Sequence, residues 1–177
     1  MSQHHVISGL VWARPGEGPG FAPTRARGAK AKGLGYERSL GAALGPKVLH
    51  GQWFQFQDRS GLGWAQPDFL LEWAAVQREM VILEAKYTWV AEGHSQGELL
   101  YRPLVEKVFG CPARVVVVCK VLTEATPKNR IFSSLEEAIE GAALRSTVCH
   151  WIGVGPLWRT SRLAPAPRPL HAATIHV

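Results

Sequence analysis

Two segments decide the fold: Gln66-Pro67-Asp68-Phe69-Leu70-Leu71, and Met80-Val81-Ile82-Leu83-Glu84-Ala85-Lys86-Tyr87, joined by a polar connection that contains Gln77-Arg78-Glu79. The apolar runs are too short for buried helices and suit strands, here over 68–73 and 80–87. Asp68 opens the first strand and Glu84 lies near the end of the second. If the two strands are antiparallel neighbours, those ends lie side by side. Period-two alternation then puts Glu84 and Lys86 on one face.

Working outward, Val48 to Gln57 is rich in strand formers and is followed by the turn chemistry of Asp58-Arg59-Ser60-Gly61, which predicts a hairpin. Upstream, Leu34 to Leu44 has helical apolar spacing and carries Glu37, with Gly45-Pro46 as a stop. Residues 12–32 are rich in Gly, Pro, Ala and basic residues, and read as an arm or irregular lead-in. Downstream, Gly93 to Phe109 has helical spacing that Pro103 should kink or interrupt. Val115 to Val118 reads as a central strand covered on both faces. Ser134 to Leu144 reads as a helix with Ser134 as N-cap and Glu137 at the capping-box position. Thr147 to Val154 makes a last strand. The order α-β-β-β-α-β-α-β predicts an α/β fold, a mixed central sheet flanked by helices.

At 177 residues with 46% hydrophobic content, the chain can build one globular domain with a substantial core. No apolar run reaches the length of a membrane span, and Met1 to Val11 lacks the pattern of a secretory signal, so a cytoplasmic setting is expected. Cys111, Cys119 and Cys149 contain no C-x-x-C pair, which argues against a disulfide frame, a zinc site or an iron–sulfur cluster. Charge is concentrated at the ends. Residues 1–47 carry +5 and residues 157–177 carry +3, leaving −2 for the middle of a chain of net +6. A basic frame suits a polyanion; a pair of solvated basic tails is the competing reading.

Two carboxylates and an ammonium at one edge of an apolar sheet are unusual unless they pair or bind a cation. One or two carboxylates, completed by waters and substrate phosphate, are what Mg²⁺ prefers. Such an ion polarises a phosphoryl oxygen, and an adjacent Lys can hold water or stabilise charge on phosphorus. The alternative is an ordinary salt bridge of Lys86 with Asp68 or Glu84.

Pro67-Asp68, fifteen intervening residues, then Glu84-Ala85-Lys86 resembles the signature of the PD-(D/E)XK nuclease superfamily. The likeness covers roughly residues 33–122. Within it, Gln66 to Leu71 resembles the strand of phage endonuclease I-type and Holliday junction resolvase-like endonucleases. The resemblance implies a restriction-endonuclease-like core (α-β-β-β-α-β) and Mg²⁺, or Mn²⁺ as substitute, held by Asp68, Glu84 and the main-chain carbonyl of Ala85. It implies Lys86 as catalytic lysine and Glu37 as a further acidic contributor. The expected organisation is a basic arm (1–32), a nuclease domain (33–156) and a basic Pro-rich tail (157–177). The expected activity is hydrolysis of DNA phosphodiesters, with branched or junction DNA favoured and a homodimer presenting two sites to two strands. An exonuclease or restriction-like endonuclease, a catalytically silent nucleic-acid-binding protein and an interaction protein with basic arms are the rivals.

Arg25, Arg27, Lys30, Lys32, Gln96 and Lys120 are the candidate DNA contacts. Gln96 and Tyr101 resemble the Gln-x-x-x-Tyr helix motif of RecB-type nucleases with one extra residue, which on a regular helix separates the side chains by about 140°. Tyr87, Thr88 and Trp89 could stack on bases or pack half-buried. His94 could assist at the site but reads first as a polar loop histidine, His4-His5 is too isolated for a metal site, and Asp58 reads as turn chemistry.

Overall fold

The computed structural model describes residues 5–20, 25–74 and 76–159. The tail's Arg162 and Arg168, and His4, lie outside the described residues. Strands are β1 (Trp12–Pro15), β2 (Leu49–His50), β3 (Phe54–Asp58), β4 (Gly61–Ala65), β5 (Phe69–Ala74), β6 (Arg78–Thr88), β7 (Ala113–Val121), β8 (Ile131–Phe132) and β9 (Thr147–His150). Helices are α1 (Gly28–Leu44), α2 (Ala91–Gln96), α3 (Arg102–Phe109) and α4 (Leu135–Gly141). A π turn at Gly97–Tyr101 joins α2 to α3, and a 3₁₀ turn at Lys128–Arg130 precedes β8.

A mixed six-stranded sheet has the order β2-β5-β6-β7-β9-β8. Its β2, β5 and β6 pair antiparallel, while β6, β7, β9 and β8 run parallel. Alternation distributes its side chains between two cores. Phe69, Leu71, Val81, Leu83, Val116 and Val118 meet Tyr36 and Leu40 of α1 and Leu135 and Ile139 of α4. Leu70, Met80, Ile82 and Val115 meet Leu100, Leu104 and Val105 on the opposite face. The apolar continuity of β6 and β7 thus follows from coverage on both sides.

The arm expected over 1–32 is partly regular structure. Trp12–Pro15 pairs with β3, and α1 begins at Gly28 rather than Leu34, because Ala29, Lys30, Ala31 and Lys32 are good helix formers that no core position interrupts. The strand expected over Val48–Gln57 is broken in two. Gly51, at φ 63°, turns the chain so that β2 joins the large sheet and β3 joins a small three-stranded one, β1-β3-β4. The helix expected over Gly93–Phe109 is interrupted as Pro103 requires: Pro103 has no N–H to give, and it sits in the first turn of α3 behind the π turn. Ser134 caps α4, its Oγ accepting the Glu137 N–H at 3.4 Å and donating to Glu137 Oε2 at 3.1 Å. That helix stops at Gly141, and the last strand stops at His150, short of the ranges expected from sequence.

Asp58 acts as turn chemistry. Its carboxylate accepts the Ser60 N–H at 2.8 Å and the Ser8 N–H at 3.1 Å, and lies 2.8 Å from His5 Nε2. Burial pushes this carboxyl upward, but those hydrogen bonds more than reverse it and hold it well below the usual range. Asp58→Ala leaves buried N–H groups unpaired. It is expected to cost about 1–3 kcal/mol, read as a lower urea midpoint; an unchanged midpoint would contradict this role.

Candidate active site

The β5–β6 register pairs Phe69 with Leu83, so the next residues outward, Asp68 and Glu84, face each other across the ladder. Asp68 has the parity of Leu70, and Glu84 and Lys86 that of Ile82, which puts all three on the face shared with α2, the π turn and α3. The Asp68 N–H donates to Glu84 Oε1 at 3.3 Å, and the Ala85 N–H donates to Asp68 Oδ2 at 2.7 Å. Lys86 Nζ donates to Glu84 Oε2 at 3.2 Å. Lys86 therefore does form the ion pair of the simpler reading, but within a three-residue cluster.

The cluster is electrostatically loaded. Burial, then the charge of Asp68, push Glu84 up to about 8 despite Lys86. Burial also raises Asp68, with Glu37 adding to it and Lys86, the Ala85 N–H and His50 opposing it. Burial alone would lower Lys86, but the two carboxylates outweigh it and hold its ammonium charged. Burial and mutual repulsion thus oppose ionisation of both acids, and a cation between them would favour their charged forms.

Glu37 enters from α1 at the sheet edge and joins Asp68, His50 and Gln66 in lining a cleft of about 380 Å³. His50 was not anticipated from sequence. Its Nε2 lies 2.7 Å from Glu37 Oε1, and its ring stacks on Phe69 with centroids 4.6 Å apart. Only the pairing of β2 with β5 brings it there, since one His in a two-residue strand has no periodic signature.

Gln96 and Tyr101 are separated by the π turn, in which the Arg102 N–H donates to the Gly97 carbonyl, an i→i+5 bond. Residues five apart on such a turn fall about where residues four apart fall on a regular helix. The offset expected between Gln96 and Tyr101 is therefore corrected: the two share a face. Tyr101 is buried, and its hydroxyl is raised by burial and by the charges of Glu84 and Asp68. Gly93 lets α2 approach the site, since a Cβ there would stand 3.2 Å from Lys86 Cε.

Of the candidate DNA contacts, Arg25, Arg27, Lys30 and Lys32 are exposed before and along the start of α1. Lys32 shares with Lys86, Tyr87 and Thr88 a second groove, of about 480 Å³. Lys120 lies over the Tyr87 ring, 5.3 Å from its centroid. His94 lies half-buried in α2 rather than in a polar loop, edge-on to Trp89 and outside the Asp68 cleft, and burial first, then Arg130, lower it to about 4. Cys119 and Cys149 are buried free thiols.

Among the described residues no three His, Cys, Asp or Glu side chains converge as a metal cage. Asp68 and Glu84 are two oxygen donors facing each other, a smaller set than such a cage, and burial is the first cause of the raised Glu84 carboxyl. Among the same residues no helix is long and apolar enough to cross a membrane. No protein-family model matches the chain, and neither a curated protein nor a solved structure matches it.

Proposed function

We propose that this protein is a Mg²⁺-dependent nuclease that hydrolyses DNA phosphodiester bonds, a structure-specific endonuclease acting on branched DNA as a homodimer. The observation that carries the reading is the facing of Asp68 and Glu84 on paired strand ends, with Lys86 two residues on and on the same face. The order α1, β2, β5, β6, α2–α3, β7, with β7 parallel to β6, supports a restriction-endonuclease-like core.

Asp68, Glu84 and the Ala85 carbonyl would hold the ion, whose contribution when bound is Lewis acidity toward water and the phosphoryl oxygen. The side chains supply the rest. Lys86, kept charged by its carboxylate neighbours, stabilises negative charge growing on the phosphoryl group. Glu37, held by His50, orients water at the cleft mouth. A water oxygen bonds to phosphorus and gives up one proton to the acidic cluster, the bridging P–O bond breaks, and its oxygen leaves as an alcohol by taking a proton from solvent. The exposed cations Arg25, Arg27, Lys30 and Lys32 neutralise backbone phosphates beyond the cleft, which gives affinity without base readout.

The test is cleavage of supercoiled, linear, single-stranded and four-way-junction DNA with Mg²⁺ or EDTA. Metal-dependent strand scission, fastest on the junction, is the expected result. Release of mononucleotides from linear ends would replace endonuclease by exonuclease, and no scission of any substrate would end the nuclease reading.

A further inference from the structure

The small sheet β1-β3-β4 has one face in the core and one in solvent. Phe54 and Phe56 point inward and are buried, and Gly63 lies so close to Phe56 that a Cβ there would stand 2.4 Å from its ring. The register Trp12↔Gln57, Arg14↔Gln55, Gln55↔Trp64 and Gln57↔Leu62 fixes the opposite set. That outward face consists of Trp12, Arg14, Gln55, Gln57, Leu62 and Trp64. Trp64 is 42% and Leu62 60% exposed, two large apolar side chains two residues apart on the same face.

The face is organised. The Trp12 Nε1–H donates to Gln57 Oε1 at 2.8 Å, and the Arg14 guanidinium donates to Gln55 Oε1 at 2.8 and 3.2 Å while lying 5.4 Å from the Trp12 ring centroid. None of its six residues is acidic, and the Asp58 carboxylate at the end of β3 is turned into the buried turn. Indole faces interleaved with amides and a guanidinium, with no negative charge, match an anionic strand of flat bases. A protein partner would be better served by a continuous apolar patch. The outward row Leu62–Trp64 continues to Gln66, which lines the Asp68 cleft. Four residues of extended chain span about 13 Å, roughly two nucleotides of stretched single strand.

We propose that this face is a stacking platform for unpaired nucleobases, seating a single strand of polynucleotide that leads to the Asp68 cleft. The destination of the strand rests on the nuclease reading; the binding itself does not.

The test measures affinity in EDTA for labelled oligothymidylate and oligouridylate of about twenty nucleotides and for a blunt duplex, using the full chain, Trp64→Ala and Trp64→Phe. Trp64→Ala is expected to weaken single-strand binding about tenfold with little change on duplex, and Trp64→Phe to keep most of the affinity. A loss confined to one of the two oligonucleotides assigns the platform to DNA or to RNA. Unchanged affinity in Trp64→Ala, an equal loss on duplex, or a loss that Phe does not restore overturns the proposal. So does a self-association that Trp64→Ala abolishes while oligonucleotide affinity stays constant, which would give the face to a second copy. Cleavage without platform binding, or platform binding without cleavage, separates the failure of one reading from that of the other.

Discussion

Asp68→Asn is expected to lower metal-dependent cleavage about a thousandfold or more while the protein remains folded. The two parts of that statement rest on different atoms. The Asp68 carboxylate accepts the Ala85 N–H at 2.7 Å, and the amide oxygen of Asn can accept the same bond, so the β5–β6 junction keeps its hydrogen bond. The negative charge is lost. Half of the anionic donor set facing Glu84 disappears with it, and the several kcal/mol that a cation contributes at a phosphoryl transition state corresponds to about three or more powers of ten in rate. Single-turnover cleavage of supercoiled and junction DNA across a Mg²⁺ titration, with melting temperature as control, reads both parts. Equal cleavage by Asp68→Asn and the parent would remove Asp68 from the site.

Glu84→Gln should abolish cleavage and, in the absence of metal, flatten the protein's loss of stability toward alkaline pH. Glu84 is 1% exposed, and burial, then the charge of Asp68, push its carboxyl up to about 8 from an ordinary 4.5. The folded state therefore retains a proton that the unfolded state releases between those values. The stability due to that proton is complete below pH 4.5 and is lost as the pH rises through 8. At about 1.4 kcal/mol per unit the loss is on the order of a few kcal/mol, with Lys86 offsetting part of it. Gln is neutral throughout and keeps its one oxygen for the Asp68 N–H, while its NH₂ cannot accept from Lys86 Nζ, a loss present at every pH. Its unfolding free energy should therefore fall less between pH 5 and 8. Its melting temperature should drop several degrees less than the parent's between pH 5 and pH 8. Mg²⁺ should raise the parent's melting temperature more than the variant's, because the ion displaces the same proton. Urea unfolding at pH 5, 6.5 and 8 decides the matter. A parallel pH dependence of the two proteins would mean that Glu84 is not the group under strain.

This trade between stability and charge explains why the cluster stands out in sequence. Glu84 and Lys86 interrupt an otherwise apolar strand, and Asp68 is one of two Asp in the chain. Alternation along a strand is a local property, so the common face of Glu84 and Lys86 could be read without the fold. Asp58 as turn chemistry, the Ser134 cap and the interruption at Pro103 were legible for the same reason: each depends on residues within a few positions of one another.

What the tertiary structure decided is everything that needs a partner distant in the chain. The division of residues 48–58 between two sheets follows from which strands are available to pair, which the local pattern of strand formers does not contain. The same holds for β1 and β8, strands of four and two residues that exist only because β3 and β9 offer them edges. His50 reaches Glu37 through such a pairing. Tyr101 is brought onto the face of Gln96 by a π turn whose extra residue a regular helical wheel counts as an offset. By itself, then, the sequence determined the α/β class with a mixed sheet and the identity of the acid–acid–lysine triplet, because period-two and period-3.6 patterns are set by backbone geometry within each element. The structure alone decided who stands beside that triplet, because side-chain neighbours across a sheet are chosen by strand order and register, and those are settled only when the whole core is packed.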